Sequence, residues 1–600
     1  MFLAAAAVLL AFYLVGSVFL NGFVLDLGSL NFPTPRYVLL TAFWMSFGSA
    51  AAGLLAVAFS QRWGQREVLD RVTTRWNAVS DRRFLVCACA AAFAVPLLIR
   101  IWLLNGAPLT DDESAYRFAA QLLASGRLWV PSPKLKLFFD QNFMINDGRL
   151  YPVYFLGWPA LLAVGFLVRT PEIVNPLLSA LTVPALLHVL RQYVSSGWAR
   201  LGIVLFLASP FVQVAAATQL SHTSCLMALT WAMALCLRAR TVLAPHRTHA
   251  GFGLALAMAF CIRPPSAVAL GAPLLLSWIA GLRRVEPADR HRVVGAFLIP
   301  SLTLAVLFLG SLWAQNGSPW KVGYARYAEY MTENQFRFTT FAPSDLTAVA
   351  GFDFSQTPEA VARTAAGLFR LNFDLFGWPS SFVLVLLGIA VFSRATALPW
   401  WMFASFVSFM LFQRDWGIDT FGPLHAFELS LPVLILTIVA ARNLSERLAW
   451  TSGPAAPRWD WTGFPAFLLG ALIVCGWVGF IPLRLSAVRQ IALHVNSALQ
   501  APARAGLHRA VVFAPWPFAP PCMGMPKHFV LFRPVNDPDL QNDVLWVNHL
   551  GVEEDRALME TFPGRSGHVL QWNSTCAVTL TPLPALRSQG SLSRPLGPGL

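Results

Sequence analysis

FLVCACAAAFAVPLLIRIWLL (84–104), followed seven residues later by DDESAY (111–116), decides how this chain is read. Twenty-one residues with Arg100 as the only charge are long enough, as a helix of ~31 Å, to cross the hydrocarbon core of a bilayer. Three consecutive carboxylates beside that run are unexpected. Negative charge at a membrane surface is electrostatically unwelcome, so Asp111, Asp112 and Glu113 need a reason to be there.

The rest of the chain agrees with the run. Of 600 residues, 56% are hydrophobic and only 12% charged, about half the roughly 25% usual in globular proteins. Mean hydropathy is +0.56. Such a chain cannot hide its apolar surface within itself, which excludes disorder, a coiled coil and an ordinary cytosolic enzyme. Forty-four Lys and Arg against 30 Asp and Glu leave a formal charge of +14. No nucleic-acid partner follows from that excess, because arginines of cytoplasmic loops and the anionic membrane lipids they meet account for it.

Apolar runs of about the length of a span recur at 1–20, 37–59, 84–104, 173–190, 199–217, 222–237, 250–262, 266–281, 293–313, 379–393, 398–413, 423–441 and 463–483. They predict about thirteen transmembrane helices. The shorter run at 156–168 reads as a helix lying in the interface. The first run reads as a retained anchor. Arginine clusters follow the second span (Arg62 to Arg83), the sixth (Arg238, Arg240, Arg247), the eighth (Arg283 to Arg292) and the twelfth (Arg442, Arg447, Arg458). With the N-terminus cytoplasmic, one alternation puts all of them inside. The loops at about 105–172 and 314–378, and everything after 483, then face outward.

Three regions are expected: 1–83, two helices and a basic loop; 84–483, the main membrane region; and 484–600, an extracytoplasmic domain. The last has a different texture, with short apolar runs AVVFA (510–514), HFVLF (528–532) and VLWV (544–547) between turns. They predict a small α/β domain with a disordered tail. Of eight cysteines, only Cys522 and Cys576 lie in this polar part, where a disulfide is one of two open readings.

Chemistry gathers at the expected outer ends of the spans. SAYRFAAQLLASG after the acids is helical and Gly126 stops it, placing the acids in a first turn where the helix dipole favours anions. That alone explains one or two of them as capping residues. The segment VPSPKLKLFFDQNFMINDGRLYPVYFLGWPALLAV (130–164) reads as a folded loop with a turn at NDG (146–148). Tyr151, Tyr154 and Trp158 are expected on one face of an interfacial helix, as an aromatic belt or as binding residues. Lys134 and Lys136 are candidates to meet a lipid phosphate. Arg263, in CIRPPSA (261–267), lies against the positive-inside trend and must find an anion or water. His222 in QLSHTS, and Asp415, Asp419, His425 and Glu428 in RDWGIDTFGPLHAFE (414–428), share that outer side. A carboxylate trio is also able to hold a divalent cation, which is the weaker reading.

DESAYRFAAQLLASGRL (112–128) and DGRLYPVYFLGWPALLA (147–163) resemble the first extracytoplasmic loop of the C-type glycosyltransferases, the GT-C fold. The closer likeness is to the protein O-mannosyltransferases and the bacterial 4-amino-4-deoxy-L-arabinose lipid A transferases. The matching residues are Asp112–Glu113, Tyr116, Gly126, Tyr151–Pro152 and Gly157–Trp158–Pro159. IRP (262–264) and FGPLHAFELSLP (421–432) resemble later parts of that family. One departure is that two spans, where one is usual, precede the span leading into the acids.

The resemblance implies a GT-C-like polytopic α-helical protein of the bacterial inner membrane that moves a sugar from a polyprenyl-phosphate donor to an extracytoplasmic acceptor. Inversion without nucleotide, cofactor or metal is what it implies for the reaction. Asp112 would be the general base, with Glu113 or Asp111 in support. Arg263, Lys134, Lys136 and His222 would face the donor phosphate. Tyr116, Tyr151, Tyr154, Arg326, Asp419 and His425 complete the expected donor site. A transporter or flippase of lipid-linked saccharides is the competing reading; it calls for inverted repeats and ionisable residues at the midplane.

Overall fold

The computed structural model describes all residues except 20–34, 64–70, 72–73, 242–243, 335–356, 379–381, 390–391, 413–416, 420–421, 452–462, 517, 519–533, 535, 576 and 584–600. Its chain forms two compact units, one of residues 1–101, 172–308 and 351–488, the other of 102–171, 309–350 and 489–600.

The first unit is helical. Across the whole chain, seven helices among the described residues are long and apolar enough to cross a membrane, or eight if Ser196–Ala208 and Pro210–Ala217 count as one span bent by 56° at Ser209. This makes the chain a multi-pass membrane protein. The described residues do not by themselves account for thirteen. Several expected spans are helices that are short or polar at their ends: Phe2–Phe19, His222–Ala239, His246–Ile262 and Ala397–Met410. His222–Ala239 begins on His222, Thr223 and Ser224 and closes on Arg238, which shortens its apolar stretch. The run at 379–393 lies partly outside the described residues.

Packing in this unit depends on close backbone approach. A Cβ at Gly253 would sit 2.2 Å from the Phe297 carbonyl oxygen, so only glycine lets helix His246–Ile262 meet helix Pro287–Asn316 there. Tyr13, Trp44, Phe373 and Phe480 form one buried aromatic cluster, in which the Trp44 indole donates to the Tyr13 carbonyl at 2.8 Å.

The second unit is α/β. Helix Asp111–Ala124 packs on helix Gly157–Leu167. Its C-terminus closes as expected at Gly126 (φ 72°). The Gly126 N–H donates to Leu123 and the Arg127 N–H to Leu122, the paired bonds of a left-handed cap. Between the two helices lies an antiparallel sheet in which Arg149–Pro152 is central, flanked by Val130–Pro131 and Met144–Asp147. The NDG turn joins two of its strands, with Gly148 at φ 68°.

The C-terminal region carries a four-stranded sheet, as its short apolar runs predict, within the same unit as 102–171. Strand Ala510–Ala514 runs parallel to Val544–Asn548 on one side and to Ser566–Trp572 on the other, and Val578–Pro582 completes the sheet antiparallel. Helix Val552–Met559 makes the crossover. The core of this domain takes in Phe138 and Phe139 from the 130–164 segment, beside Val511, Phe513, Leu545 and Val547. The Asn548 amide ties the same segment down by donating to the carbonyls of Leu137 and Asp140 at 2.8 and 2.7 Å. HFVLF and both Cys522 and Cys576 lie outside the described residues.

Candidate active site

The three acids do three different things. Thr110 is extended and makes no side-chain cap. Glu113, fully buried, reaches back instead and accepts the Leu109 N–H at 2.6 Å, closing the helix N-terminus. Asp111 accepts from the Asn142 amide at 2.5 Å. Although it is partly screened from solvent rather than sealed, desolvation pushes its carboxyl up to about 6, against the opposing pull of the Asn142 amide. Asp112, also part-exposed, accepts the hydroxyl of Tyr154. The Tyr154 ring lies on that of Tyr116, with centroids 4.3 Å apart.

Helix Gly323–Glu333 supports this cluster. The Tyr327 hydroxyl donates to the Asn142 side-chain oxygen at 2.9 Å and accepts the Phe143 N–H at 3.0 Å. One turn on, Tyr330 donates to Asp140 at 2.9 Å, which also accepts from Asn146 at 2.6 Å. Phe143 sits at φ 59°, a left-handed conformation that a bulky side chain rarely adopts. The helix approaches so closely that a Cβ at Gly323 would lie 2.1 Å from the Val153 carbonyl oxygen.

Asp111, Asp112, Glu113, Tyr116 and Tyr154 are therefore brought together. Other expected residues are engaged elsewhere. Lys136 donates to Asn334 at 2.7 Å and lies over the Tyr330 ring. Arg326 meets Asp147 at 2.5 Å, and Glu329 and Glu333 at 3.4 Å. Tyr151 donates to Asn316 at 3.1 Å. Lys134 is exposed. The expected single helix for Tyr151, Tyr154 and Trp158 is not formed. Tyr151 belongs to a strand paired with Ile145, and the helix starts only at Gly157, because the NDG turn sets an extended register that runs through Pro152.

In the first unit, Arg263, His222 and Glu428 form a second buried cluster. Helix His246–Ile262 ends and helix Pro264–Gly281 begins around Arg263, as Pro264 and Pro265 dictate. Glu428 accepts from Ser266 at 3.0 Å, lies 3.2 Å from His222 Nδ1 and pairs with Arg263 Nε at 3.3 Å. Arg263 also donates to Ser221 at 3.1 Å. His425 is half-buried, its ring filling the space beside Gly417. Asp419 lies in a two-residue strand opposite Gly422. Arg100, buried in the run that opened the reading, pairs with Glu172 at 2.6 Å, and Gln219 reaches the same carboxylate.

Sequence reasoning missed Asp140, Asn142 and Tyr330, and read Tyr327 only as part of an outer loop over the acceptor. The usable signal was three consecutive polar residues, Asp140, Gln141 and Asn142, framed by Phe138–Phe139 and Phe143. The lone charge at Arg100 was a similar signal. Among the described residues no three His, Cys, Asp or Glu side chains are grouped as metal ligands.

No family model and no curated protein matches the chain. Among solved structures, it is similar to ArnT from Cupriavidus metallidurans bound to undecaprenyl phosphate. The identity is 13% and the TM-score 0.47, over 82% of this chain and 93% of that one. The apo state of the same protein is similar at 12% identity and TM-score 0.47, over 84% and 94% of the two chains. The archaeal oligosaccharyltransferase AglB from Archaeoglobus fulgidus, in complex with an inhibitory peptide and a dolichol-phosphate, is similar at 11% identity and TM-score 0.34, over 71% and 59%. These are C-type membrane glycosyltransferases, the group whose loop the sequence resembles.

Proposed function

We propose that the protein is a bacterial inner-membrane glycosyltransferase that moves a sugar from a polyprenyl-phosphate donor to an acceptor on the extracytoplasmic side. The observation that carries this reading is Asp112, a part-exposed carboxylate at a helix N-terminus, with one oxygen oriented by Tyr154 and the other acids already committed to Asn142 and Leu109. An acceptor hydroxyl attacks the anomeric carbon as Asp112 takes its proton; the bond from that carbon to the phosphate oxygen breaks, and the electron pair leaves on the lipid phosphate with inversion. A base positioned this way supplies roughly 10²–10⁴-fold in rate. Lys134 is the cation proposed to face the leaving phosphate, with Lys136 as a further candidate. Asp111 supports the base through the shared helix turn.

The test is transfer by the full chain reconstituted with envelope lipid-linked sugars, read as new glycosidic product by mass spectrometry. Asp112→Asn is expected to lose transfer with folding intact, and full activity in that variant rejects Asp112 as the base. Translocation of the lipid-linked sugar without any new glycosidic bond would favour the flippase reading. Labelling of a cysteine placed at residue 134 from the cytosolic side would reject the orientation.

A further inference from the structure

A cavity of about 130 Å³ lies in the second unit, walled by Phe118, Val130, Phe139, Leu150, Gln141 and the segment Asn536–Leu540. Size limits its occupant. An engineered cavity of ~150 Å³ takes up benzene, so this one accommodates a single six-membered ring and little more.

Its chemistry limits the occupant further. Gln141 is 5% exposed, and its side-chain amide makes no hydrogen bond among the described residues. An amide offers donors and an acceptor together to whatever enters the cavity it lines. Among the described residues no cation lines the cavity, and the one carboxylate there, Asp537, already accepts the Asp539 N–H at 2.9 Å. The fitting ligand is thus neutral, with apolar faces for the aromatic walls and hydroxyls for the amide.

The wall is held in an unusual state. Leu540 has φ 56°, and strain of this kind persists where the surroundings enforce it, often at ligand sites. Arg127 grips Asp539 with two bonds of 2.6 and 2.7 Å, fastening the Asn536–Leu540 segment to the end of the acid-bearing helix. Position matters as well. Gln141 sits between Asp140 and Asn142, and Asn142 donates to Asp111, so one short segment supplies both a wall of the cavity and a partner of the acidic cluster.

We infer that this cavity is a subsite for a neutral pyranose ring of a glycan acceptor, seated by Gln141. The inference rests on the glycosyltransferase reading and narrows its acceptor to one that carries sugar.

Binding of methyl α-D-gluco-, galacto- and mannopyranoside to the purified full chain, by saturation-transfer NMR, tests it, with sorbitol as a ring-free control. Gln141→Met keeps the volume and removes the amide, and weakens binding about tenfold, the usual effect of one hydrogen bond. Val130→Phe fills the cavity and abolishes binding; should that variant fail to fold, Gln141→Met carries the test. Equal binding by wild type and Gln141→Met, equal binding of sorbitol, or no pyranoside binding at all overturns the inference. Asp112→Asn is the separating arm. It keeps pyranoside binding while losing transfer, whereas transfer surviving in that variant sinks the proposed base and leaves the subsite standing.

Discussion

Tyr154 donates its phenolic hydroxyl to Asp112 across 42 residues of chain, linking the end of the folded loop to the first turn of the acid-bearing helix. The same tyrosine ring rests on Tyr116, so the carboxylate is oriented by a side chain that is itself locked by packing.

Tyr154→Phe keeps the ring contact and removes the hydroxyl. Transfer is expected to fall roughly tenfold, the usual effect of losing one orienting hydrogen bond, with the larger part in kcat. Steady-state kinetics of the reconstituted enzyme checks this; an unchanged kcat would show that the bond does not orient the base.

Asp111 makes stability depend on pH in a defined direction. Its folded carboxyl is raised to about 6, above its ordinary value near 4, so the folded state holds the proton more tightly. The associated stability is present below about pH 4 and is lost as pH climbs through about 6. Thermal melts of wild type against Asp111→Asn between pH 4 and 8 should show wild type losing ground to the variant as pH rises. Parallel curves would contradict the assignment.

Glu428 holds Arg263, His222 and Ser266 in a buried site. Glu428→Leu leaves buried cationic character without its counter-charge and is expected to cost about 3–5 kcal/mol. Adding Arg263→Met should recover much of that loss. Detergent melts of both single variants and the double variant measure the coupling, and simple additivity would show the pair to be independent.

Gly323→Ala places a methyl group against the Val153 carbonyl. Pushing helix Gly323–Glu333 away costs about 1–3 kcal/mol and loosens Tyr327 and Tyr330 from Asn142 and Asp140. A lowered melting temperature together with reduced transfer is expected; wild-type stability would mean the helix can shift freely.

Membrane class, the acid-bearing helix with its Gly126 stop, the NDG turn, the helix break at Arg263 and the strands AVVFA and VLWV were all legible in the residues. Each depends on neighbours within a few positions, where periodicity, cap geometry and the fixed φ of proline act directly. The number of spans was less legible, because apolar runs such as 222–237 shade into polar ends whose burial depends on what packs beside them. The aromatic face expected of Tyr151, Tyr154 and Trp158 failed for a related reason. Spacing of three and four describes a helix only if no strand partner claims the residues first, and Met144–Asp147 did.

Alone, the amino-acid order determined that this chain lives in a membrane and that carboxylates follow its third apolar run. Only the folded chain decided how those carboxylates divide their work: Glu113 closing a helix, Asp111 held by Asn142, Asp112 turned toward Tyr154. Three like-charged neighbours are equivalent as letters. They become distinct when partners 4 to 42 residues away arrive and engage each of them differently, and that arrangement exists only once the loop has packed.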